Sequence, residues 1–362
     1  MPIGGARLAS SATTRRELFS GIGLLAAGAL ISKGDLAAQD TVPGRIDLHH
    51  HFGSPGWLAT LAARDGKPNP GFTSWFGLNS WKDYSPSRAI EDMDRGGVAA
   101  AVVSLTAPGV WFGDIGETKR LARDLNEYAA AKMVGAYKGR FGLFAVLPLP
   151  DVDASLREIE YAFDTLKADG VGLLTSVGSK YLGDKAFTPV FDELNRRKAI
   201  VYTHPIDAPC CQNLLPDVNV TTVEYNTDTS RTIISLIASG TASRCADTQI
   251  IFSHGGGTIV SLAGRFLGAA ASAESLAKPA EPDSRLHHLR RFYYDTAGSA
   301  NPVNMQSLKM LVSASQIVFG TDHPFGRSAN IAANLQTCGF SADELRGVDR
   351  ENALKLLPRF RS

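Results

Sequence analysis

Eight short apolar runs alternate with longer helical patterns along residues 41–362, and this alternation limits the fold more than any other feature of the sequence. The runs are apolar and rich in β-branched residues, and the stretches between them carry apolar residues at helical spacing. The runs span residues 46–49, 98–105, 141–147, 171–174, 199–203, 249–253, 292–294 and 316–319. Eight strand–helix units in about 320 residues predict a (β/α)8 TIM barrel, an α/β fold.

A doubly wound open sheet is the alternative for the same alternation. Dinucleotide-binding sheets of that kind have a GxGxxG loop after the first strand, whereas here the first run ends in His49, His50 and His51. Helices are predicted over residues 118–137, 154–168, 187–197, 230–239 and 303–312, and the last helix over 341–357. That last helix begins with a capping-box pattern, Ser341 to Glu344, and ends before Pro358.

Residues 1–38 differ from the rest of the chain. The paired Arg15 and Arg16 precede an apolar stretch, residues 21–31, which is too short to span a bilayer. The pattern predicts a twin-arginine-type signal peptide over residues 1–38, followed by a single catalytic domain over residues 41–362 without a membrane span. We therefore expect a protein exported to the periplasm or beyond. A disordered or surface-lying amphipathic tail is the alternative interpretation.

Charge and cysteine content exclude several classes of function. The formal net charge is +1 and we find no basic stripe, so the sequence gives no indication of a nucleic-acid partner. The four cysteines show no disulfide framework, since two are adjacent and two are far apart. No CxxC pair occurs, which argues against a cysteine-based zinc site.

The histidines that end the first run are candidate metal ligands. Successive side chains of a strand point to opposite faces, so His49 and His51 share one face while His50 points to the other. Neutral imidazole is a common ligand of zinc and similar ions, and two such rings can hold one ion. A catalytic site needs further ligands from elsewhere in the chain.

Other polar residues follow the predicted strands at the same end of the barrel. His204 follows strand five, His254 follows strand six and Asp322 follows strand eight. Each alone has an ordinary explanation, such as a loop histidine or an aspartate that caps a helix. Active sites of this fold lie at the carboxyl ends of the strands, so four strands that deliver titratable groups there predict one catalytic rim.

These motifs resemble the amidohydrolase-related family of metal-dependent decarboxylases, and the resemblance covers residues 45–357. It is carried by Asp-Leu-His-x-His at 47–51, Thr-His-Pro at 203–205, Ser-His-Gly-Gly-Gly at 253–257 and Gly-Thr-Asp-x-Pro at 320–324. Within the family, the sequence is most similar to the 6-methylsalicylate decarboxylases, through residues 140–145, 164–171, 181–183 and 228–232.

The resemblance implies that His49, His51, His204 and Asp322 ligate one divalent metal ion, zinc in the first instance and manganese as the alternative. It places His254 beside the metal as acid or base, and either His254 or Asp322 could donate the proton. Binuclear relatives have a bridging carboxylated lysine or glutamate after strand four. Here that strand ends in Leu-Thr-Ser at 174–176, so a single metal is expected.

The implied reaction is the non-oxidative decarboxylation of a hydroxylated aromatic acid of salicylate type. Arg231 is a candidate for gripping the substrate carboxylate, with an ion pair to Asp228 or Glu224 as the alternative. Arg265 matches an arginine that the family contributes across a homodimer interface, with an exposed helix residue as the alternative. Two tryptophans of the loop after strand one, Trp75 and Trp81, are candidates for the walls of the substrate pocket. Packing within the loop is the alternative role for both. That loop lacks the arginine of the muconate-semialdehyde enzyme, which argues against a dicarboxylate substrate.

Two other classes of function use the same residues. A hydrolase could activate water at the metal against a lactone, ester or amide, with His254 as the general base. An exported binding protein could keep the barrel without the chemistry, although every position of the metal motif is filled.

Overall fold

Eight parallel strands form a sheet in which each strand pairs with its neighbour along the chain. The computed structural model describes residues 44–64, 78–211, 214–215 and 217–361. The strands are β1 (Arg45–His51), β2 (Val98–Ser104), β3 (Phe141–Val146), β4 (Gly170–Leu174), β5 (Ile200–His204), β6 (Gln249–Phe252), β7 (Tyr293–Asp295) and β8 (Ile317–Val318). A short antiparallel hairpin, Ser176–Val177 with Lys180–Tyr181, follows β4.

Backbone hydrogen bonds join the first strand to the last. Leu48 N donates to Phe319 O at 2.9 Å, and His51 N donates to His323 O at 2.8 Å. The predicted (β/α)8 barrel is thereby confirmed, and the eight predicted strands lie within a few residues of the observed ones. The predicted signal peptide lies outside the described residues, and residues 41–362 belong to one compact unit.

Helices connect the strands and cover the outside of the barrel. The α-helices are α1 (Pro55–Arg64), α2 (Leu78–Trp81), α3 (Pro86–Arg95), α4 (Ile115–Tyr128), α5 (Val152–Glu160), α6 (Thr188–Arg196), α7 (Asn226–Ala238), α8 (Thr241–Arg244), α9 (Ile259–Leu267), α10 (Ala273–Leu276), α11 (Arg285–Arg291), α12 (Pro302–Leu311), α13 (Ser328–Leu335), α14 (Ala342–Arg346) and α15 (Asn352–Leu356). Within the described ranges, none of these helices has the length and apolar character needed to cross a membrane.

Wider and tighter turns extend several helices. Segments of π-helix are Ala129–Val134, Tyr161–Thr165, Thr221–Tyr225 and Gly347–Glu351, and 3-10 turns are Lys185–Phe187, Pro209–Cys211, His254–Gly256, Gly268–Ala271, Ala314–Gln316 and Pro358–Arg361. The predicted capping box is confirmed, because Ser341 Oγ accepts from Glu344 N and Ser341 N donates to the Glu344 carboxylate. The predicted last helix is divided by the π-helical segment between α14 and α15.

The end of the chain closes the amino-terminal mouth of the barrel. Side chains of Ala353, Leu357 and Phe360 join the apolar cluster that fills the barrel interior. Arg350 fastens this segment to the start of β1, since its guanidinium donates to the carbonyls of Gly44 and Phe360 at 2.6 and 2.9 Å. With this mouth filled by apolar side chains, the carboxyl ends of the strands form the end at which a site can be built.

A β-bulge in β1 aims the histidines at the barrel interior. Between Asp47 and His50, β1 has one residue more than β2 over the same register. Leu48 already packs in the interior cluster, and the extra residue brings the next side chain, His49, to the same side. His51 follows by alternation, and His50 points outward to within 6.2 Å of the Phe141 ring. The predicted separation of the three histidines between two faces is confirmed.

Truncating the aromatic pair beneath the site is expected to destabilise the barrel. The rings of Phe144 and Tyr202 stack at 5.6 Å with an interplanar angle of 7°, and both side chains are fully buried. The substitution Phe144→Ala should lower the free energy of unfolding by about 3–5 kcal/mol, because it opens a cavity in a packed interior. Urea titration followed by circular dichroism measures this change.

Val303→Ala is the matched control, since that side chain is 75 % exposed on α12. It should leave the free energy of unfolding within about 0.5 kcal/mol of the wild type. A loss below about 1 kcal/mol for Phe144→Ala would contradict a tightly packed barrel interior.

Candidate metal centre

Four side chains converge at the carboxyl mouth of the barrel. One ligand atom from each of His49, His51, His204 and Asp322 lies within 4.8 Å of all the others. The Nε2 atoms of His49 and His51 are 3.0 Å apart, and Asp322 Oδ1 lies 3.3 and 3.1 Å from them. The structure thus brings together the predicted ligand set, as a group that could hold a divalent ion.

Hydrogen bonds fix the orientation of all three histidine rings. The Nδ1 atom of His49 donates to Asp295 Oδ2 at 2.8 Å, since a carboxylate only accepts. In the same way His51 Nδ1 donates to the carbonyl of Ser104 at 3.2 Å, and His204 Nδ1 donates to the carbonyl of Pro205 at 2.9 Å. With Nδ1 protonated, each neutral ring presents the Nε2 lone pair to the centre of the group.

These atoms fit a metal ion. Lone pairs of two imidazoles held 3.0 Å apart repel each other unless a proton or a cation lies between them. The Oδ1 atom of Asp322 is buried and makes no hydrogen bond, although it lies within ion-pair distance of two rings. Imidazole nitrogens with one carboxylate oxygen are a common ligand set of zinc and related divalent ions.

Burial and charge act on the pKa of each ligand. Burial lowers the pKa of His51 and His204, so both rings are neutral and can bind a metal. Burial acts in the same direction on His49, but Asp295 and Asp322 outweigh it and raise its pKa to about 10. For Asp322, burial favours the neutral acid, but the surrounding histidines hold its pKa well below 3.8.

Asp295 connects the candidate ligand His49 to His254. Its Oδ2 atom holds the His49 ring, and its Oδ1 atom accepts from His254 N at 2.9 Å. Gly320 leaves room for this contact, because a Cβ at that position would lie 2.8 Å from the Cβ of His49 and 2.9 Å from that of Asp295. Sequence reasoning missed Asp295, since the predicted seventh strand stops one residue before it. The available signal was that β7, like four other strands, is associated with a titratable residue at its carboxyl end.

Asp322 and His254 both have left-handed backbone conformations, with φ of 62° and 55°. Residues other than glycine adopt this conformation at a cost of about 1–3 kcal/mol and persist in it where surrounding contacts hold them. Here Asp322 N donates to the carbonyl of His49 at 2.8 Å, and His254 N is held by Asp295. Contacts with β1 and β7 therefore hold the candidate ligand Asp322 and the neighbouring His254 in place.

His50 and His323 lie behind the ligand cluster, the group formed by His49, His51, His204 and Asp322. Their rings stack at 4.4 Å with an interplanar angle of 11°, and His50 Nδ1 donates to Asp47 Oδ2 at 2.9 Å. The other oxygen of Asp47 accepts from the backbone N–H groups of His49 and Thr321 at 2.9 and 3.1 Å. This arrangement ties β1 to the segment that carries Asp322.

A cavity of about 350 Å³ opens beside the ligand cluster. Its walls are formed by Thr106, Ala107, His204, Thr221, Thr222, Tyr225, Asn226, His254, Gly298, Asp322 and Phe325. Two aromatic rings flank the ligands, with Tyr225 at 5.9 Å from the His204 ring and Phe325 at 6.0 Å from the His51 ring. His254 Nε2 lies 3.5 Å from Asp322 Oδ2, and its buried Nδ1 atom has no hydrogen-bond partner.

The two predicted substrate arginines do not line this cavity. The guanidinium of Arg231 lies 3.8 and 3.9 Å from the carboxylates of Asp228 and Glu224, which is the alternative that the sequence left open. Arg265 is exposed on α9. A role of either residue in substrate binding stays a prediction.

The predicted tryptophan walls have different outcomes. Trp81 is buried behind the cavity, where its ring packs 5.7 Å from Trp57 and 5.9 Å from Phe325. Trp81 thus supports a wall residue and is not itself among the described lining residues. Trp75 lies outside the described residues. Sequence reasoning missed several wall residues, among them Phe325 as well as Tyr225 and Asn226, which lie just before and at the start of α7 and carry no recognisable motif.

Comparisons with known proteins agree on one family. The sequence profile described as amidohydrolase matches residues 46–359. Decarboxylase yanB of Aspergillus niger is 37 % identical over 334 residues, which cover 87 % of this chain and 88 % of that protein. The 6-methylsalicylic acid decarboxylase of Penicillium expansum is 35 % identical over 343 residues, which cover 88 % and 97 %.

A solved structure shares the fold. The dihydroxybenzoic acid decarboxylase of Polaromonas sp., crystallised with manganese and the inhibitor 2-nitroresorcinol, superposes with a TM-score of 0.74. The match covers 88 % of this chain and 98 % of that one, with 21 % sequence identity. At this level of identity the likeness supports the barrel fold alone.

Removing one ligand is expected to abolish tight metal binding. Elemental analysis of wild-type protein, after equilibration with a divalent metal and removal of the excess, should find about one ion per chain. His51→Ala and Asp322→Asn should retain far less, because each removes one of the four converging ligands. His287→Ala, on the distant helix α11, is the control and should retain the full content. Equal metal content in His51→Ala and wild type would refute the ligand assignment.

Metal binding is expected to release a proton from His49. In the metal-free protein its pKa is raised from 6.5 to about 10, so the ring is protonated at neutral pH. The protonated His49 ring stabilises the folded, metal-free protein. This contribution to the free energy of unfolding is fully present below pH 6.5 and is lost as the pH rises through about 10. Because Nε2 must lose its proton to bind a metal, affinity should rise about tenfold per pH unit up to that value.

Calorimetry at about pH 8, in two buffers with different ionisation enthalpies, measures the proton release. We expect about one proton for each metal ion bound. Binding without any proton release would show that His49 is neutral in the metal-free protein.

Proposed function

We propose that this chain, which belongs to the amidohydrolase family, is a metal-dependent, non-oxidative decarboxylase of hydroxylated aromatic acids. A salicylate-type acid similar to 6-methylsalicylate is the substrate class that we propose first. The observation that carries the proposal is the cavity between Tyr225 and Phe325, which is of the right size for one substituted ring and opens onto the ligand cluster. Two decarboxylases that are 37 % and 35 % identical to this chain over the aligned residues support it.

Loss of carbon dioxide from an aromatic ring requires protonation of the carboxyl-bearing carbon. Direct loss would leave an aryl anion, whereas protonation of the ring carbon lets the electron pair of the breaking bond return to the ring. His49, His51, His204 and Asp322 would hold a divalent metal, which would supply Lewis acidity toward the oxygen atoms of the substrate. The protein must then supply the proton, hold the aromatic ring next to the proton donor and exclude water.

The pair formed by His254 and Asp322 is suited to supply the proton. The His254 ring faces the cavity with Nε2 at 3.5 Å from Asp322 Oδ2, and its Nδ1 atom has no partner. Either member of the pair could be the donor, because both residues line the cavity. Once the proton is on the ring carbon, the carbon–carbon bond breaks, carbon dioxide leaves and the pair recovers a proton from solvent.

The cavity wall would hold the ring and its substituents. Tyr225 and Phe325 supply aromatic side chains to the wall, with their rings 5.9 Å from the His204 ring and 6.0 Å from the His51 ring, which favours an aromatic substrate. Polar groups along the wall come from Thr106, Thr222 and Asn226, and no described lining residue is an arginine or lysine. The carboxylate would therefore be bound by the metal and by neutral donors, which suits a monocarboxylate.

We propose zinc as the native metal, with manganese as the competing candidate. Three imidazoles and one carboxylate suit zinc, whereas the Polaromonas structure contains manganese. Metal content of protein purified without added metal, compared with turnover after reconstitution with each ion, decides between them.

Export and dimerisation are further proposals. Export rests on the Arg15-Arg16 pair and the apolar stretch after it, and the periplasm is the expected location. A homodimer rests on the family resemblance and on exposed apolar residues in the connection before α7, Leu214, Leu215, Val218 and Val223, which are 61, 53, 42 and 41 % exposed. Sedimentation of the purified protein and fractionation of producing cells test these two proposals.

Substrate turnover is the direct test of the proposed function. The metal-loaded protein should release carbon dioxide from 6-methylsalicylate, salicylate or 2,6-dihydroxybenzoate, but not from benzoate, which lacks the ortho hydroxyl. His254→Ala should lower kcat by about 10²- to 10⁴-fold while metal content stays unchanged, because it removes half of the proton-carrying pair. Turnover of a lactone or ester, with no carbon dioxide from any of the acids, would show that the enzyme is a hydrolase instead.

A further inference from the structure

A buried hydrogen-bond network lies behind the metal ligand His204, at the end of β4. Its centre is Asp228, in the first turn of α7, whose side chain is fully buried. One carboxylate oxygen accepts from Tyr181 OH at 2.5 Å, and the other accepts from the hydroxyl of Thr175. The network therefore joins the hairpin, the end of β4 and helix α7.

Thr175 connects this network to the metal ligand. Its backbone N–H donates to the carbonyl of His204 at 2.9 Å, and its hydroxyl oxygen accepts from Ile206 N at 3.2 Å. These two bonds hold the segment on both sides of Pro205. The Pro205 carbonyl is the acceptor that orients the His204 ring and leaves its Nε2 atom bare. The position of Thr175 thus determines both the backbone and the ring orientation of one ligand.

Two motifs from the sequence meet in this network without a place in the proposed chemistry. Residues 181–183 contribute Tyr181 and Gly183, whose N–H donates to Ser235 Oγ at 3.2 Å. Residues 228–232 contribute Asp228 and Thr232, whose hydroxyl donates to the carbonyl of Thr175 at 3.0 Å. A Cβ at Gly183 would lie 2.3 Å from the Ser235 carbonyl, so the hairpin packs closely on α7. The residue types of both motifs are accounted for by this junction.

The network also reaches the substrate cavity. Tyr225 and Asn226 line the cavity and lie three and two residues before Asp228, at the π-helical turn and the start of α7. Fixing Asp228 against Thr175 therefore fixes this wall relative to His204. Arg231 lies on the outer side of the network, with its guanidinium 3.8 Å from Asp228.

We propose that Asp228 is a positioning residue that, through Thr175, holds His204 in the geometry needed to bind the metal. The proposal rests on the metal centre of the proposed function. Without the Thr175 hydroxyl, Ile206 N loses its acceptor, and the turn that carries His204 and Pro205 can shift. Residues that orient a metal ligand typically contribute about 10- to 100-fold to metal affinity, so a small displacement of Nε2 is enough to be measured.

The test compares substitutions at Thr175 that differ by one group. Thr175→Val removes the hydroxyl and keeps the shape, whereas Thr175→Ser keeps the hydroxyl. The affinity for zinc is measured by competition with a chromophoric chelator, and the visible absorption spectrum of the cobalt-loaded protein reports the ligand geometry. We expect Thr175→Val to weaken zinc binding about 10- to 100-fold and to alter the cobalt bands, while Thr175→Ser restores both.

Matched controls separate positioning from general loss of stability. Thr248→Val makes the same change at a buried threonine whose hydroxyl has no hydrogen-bond partner, just before β6. Asp228→Asn is paired with Asp349→Asn, because Asp349 is equally buried but pairs with Arg45 at the amino-terminal end of the barrel. Both control variants should bind zinc like the wild type, and Asp228→Asn should bind it more weakly.

Each outcome decides the proposal. A folded Thr175→Val protein with wild-type zinc affinity and an unchanged cobalt spectrum would overturn it. If Thr175→Val does not fold, Tyr181→Phe decides, because loss of one hydrogen bond to Asp228 should still weaken zinc binding, and an unchanged affinity would overturn the proposal. A wild-type protein that binds zinc but releases no carbon dioxide would sink the proposed function and leave the positioning role standing.

Discussion

The structure depends on one electrostatic constraint, the convergence of three imidazole nitrogens and a carboxylate on one buried point. Such a group is stable only with positive charge at its centre, supplied by a proton on His49 in the metal-free protein or by a metal ion. The hydrogen bonds around it serve this arrangement, since Asp295, the Ser104 carbonyl and the Pro205 carbonyl each hold one Nδ1 proton. The proposed chemistry uses the remaining open side of the same point.

The barrel supplies the rigidity that this arrangement requires. Three of the four candidate ligands lie in the last three residues of β1 and at the end of β5, and Asp322 follows β8, so hydrogen bonds between strands set their separation. The β1 bulge turns His49 inward, and Asp47 ties β1 to Thr321 beside Asp322. The network around Asp228 connects the barrel to the part of the cavity wall formed by Tyr225 and Asn226. The four candidate ligands, the contact between His254 and Asp322 and the cavity therefore belong to one connected end of the barrel.

Much of the fold and of the ligand set could be predicted from the sequence. Buried parallel strands and their helices differ in periodicity, and the barrel brings the carboxyl ends of distant strands together, so His204, His254 and Asp322 could be grouped with His49 and His51 at one rim. The choice of four of these residues as candidate ligands came from the family resemblance. The partners of these residues could not be predicted, because backbone carbonyls carry no side-chain signature. Asp295 was missed because the predicted seventh strand ended at residue 294, one residue before it.

The arginines show the other limit of sequence reasoning. The guanidinium group of Arg231 can pair with a substrate or with a neighbouring carboxylate, and only the fold shows that Asp228 and Glu224 lie within 4 Å of it.

The central claim is that three histidines and Asp322 hold the metal. X-ray absorption fine structure of the zinc-loaded protein tests it most directly. The account predicts about three imidazole nitrogens with carboxylate oxygen at ~2.0–2.2 Å, and sulfur at ~2.3 Å or fewer than two imidazoles would contradict it.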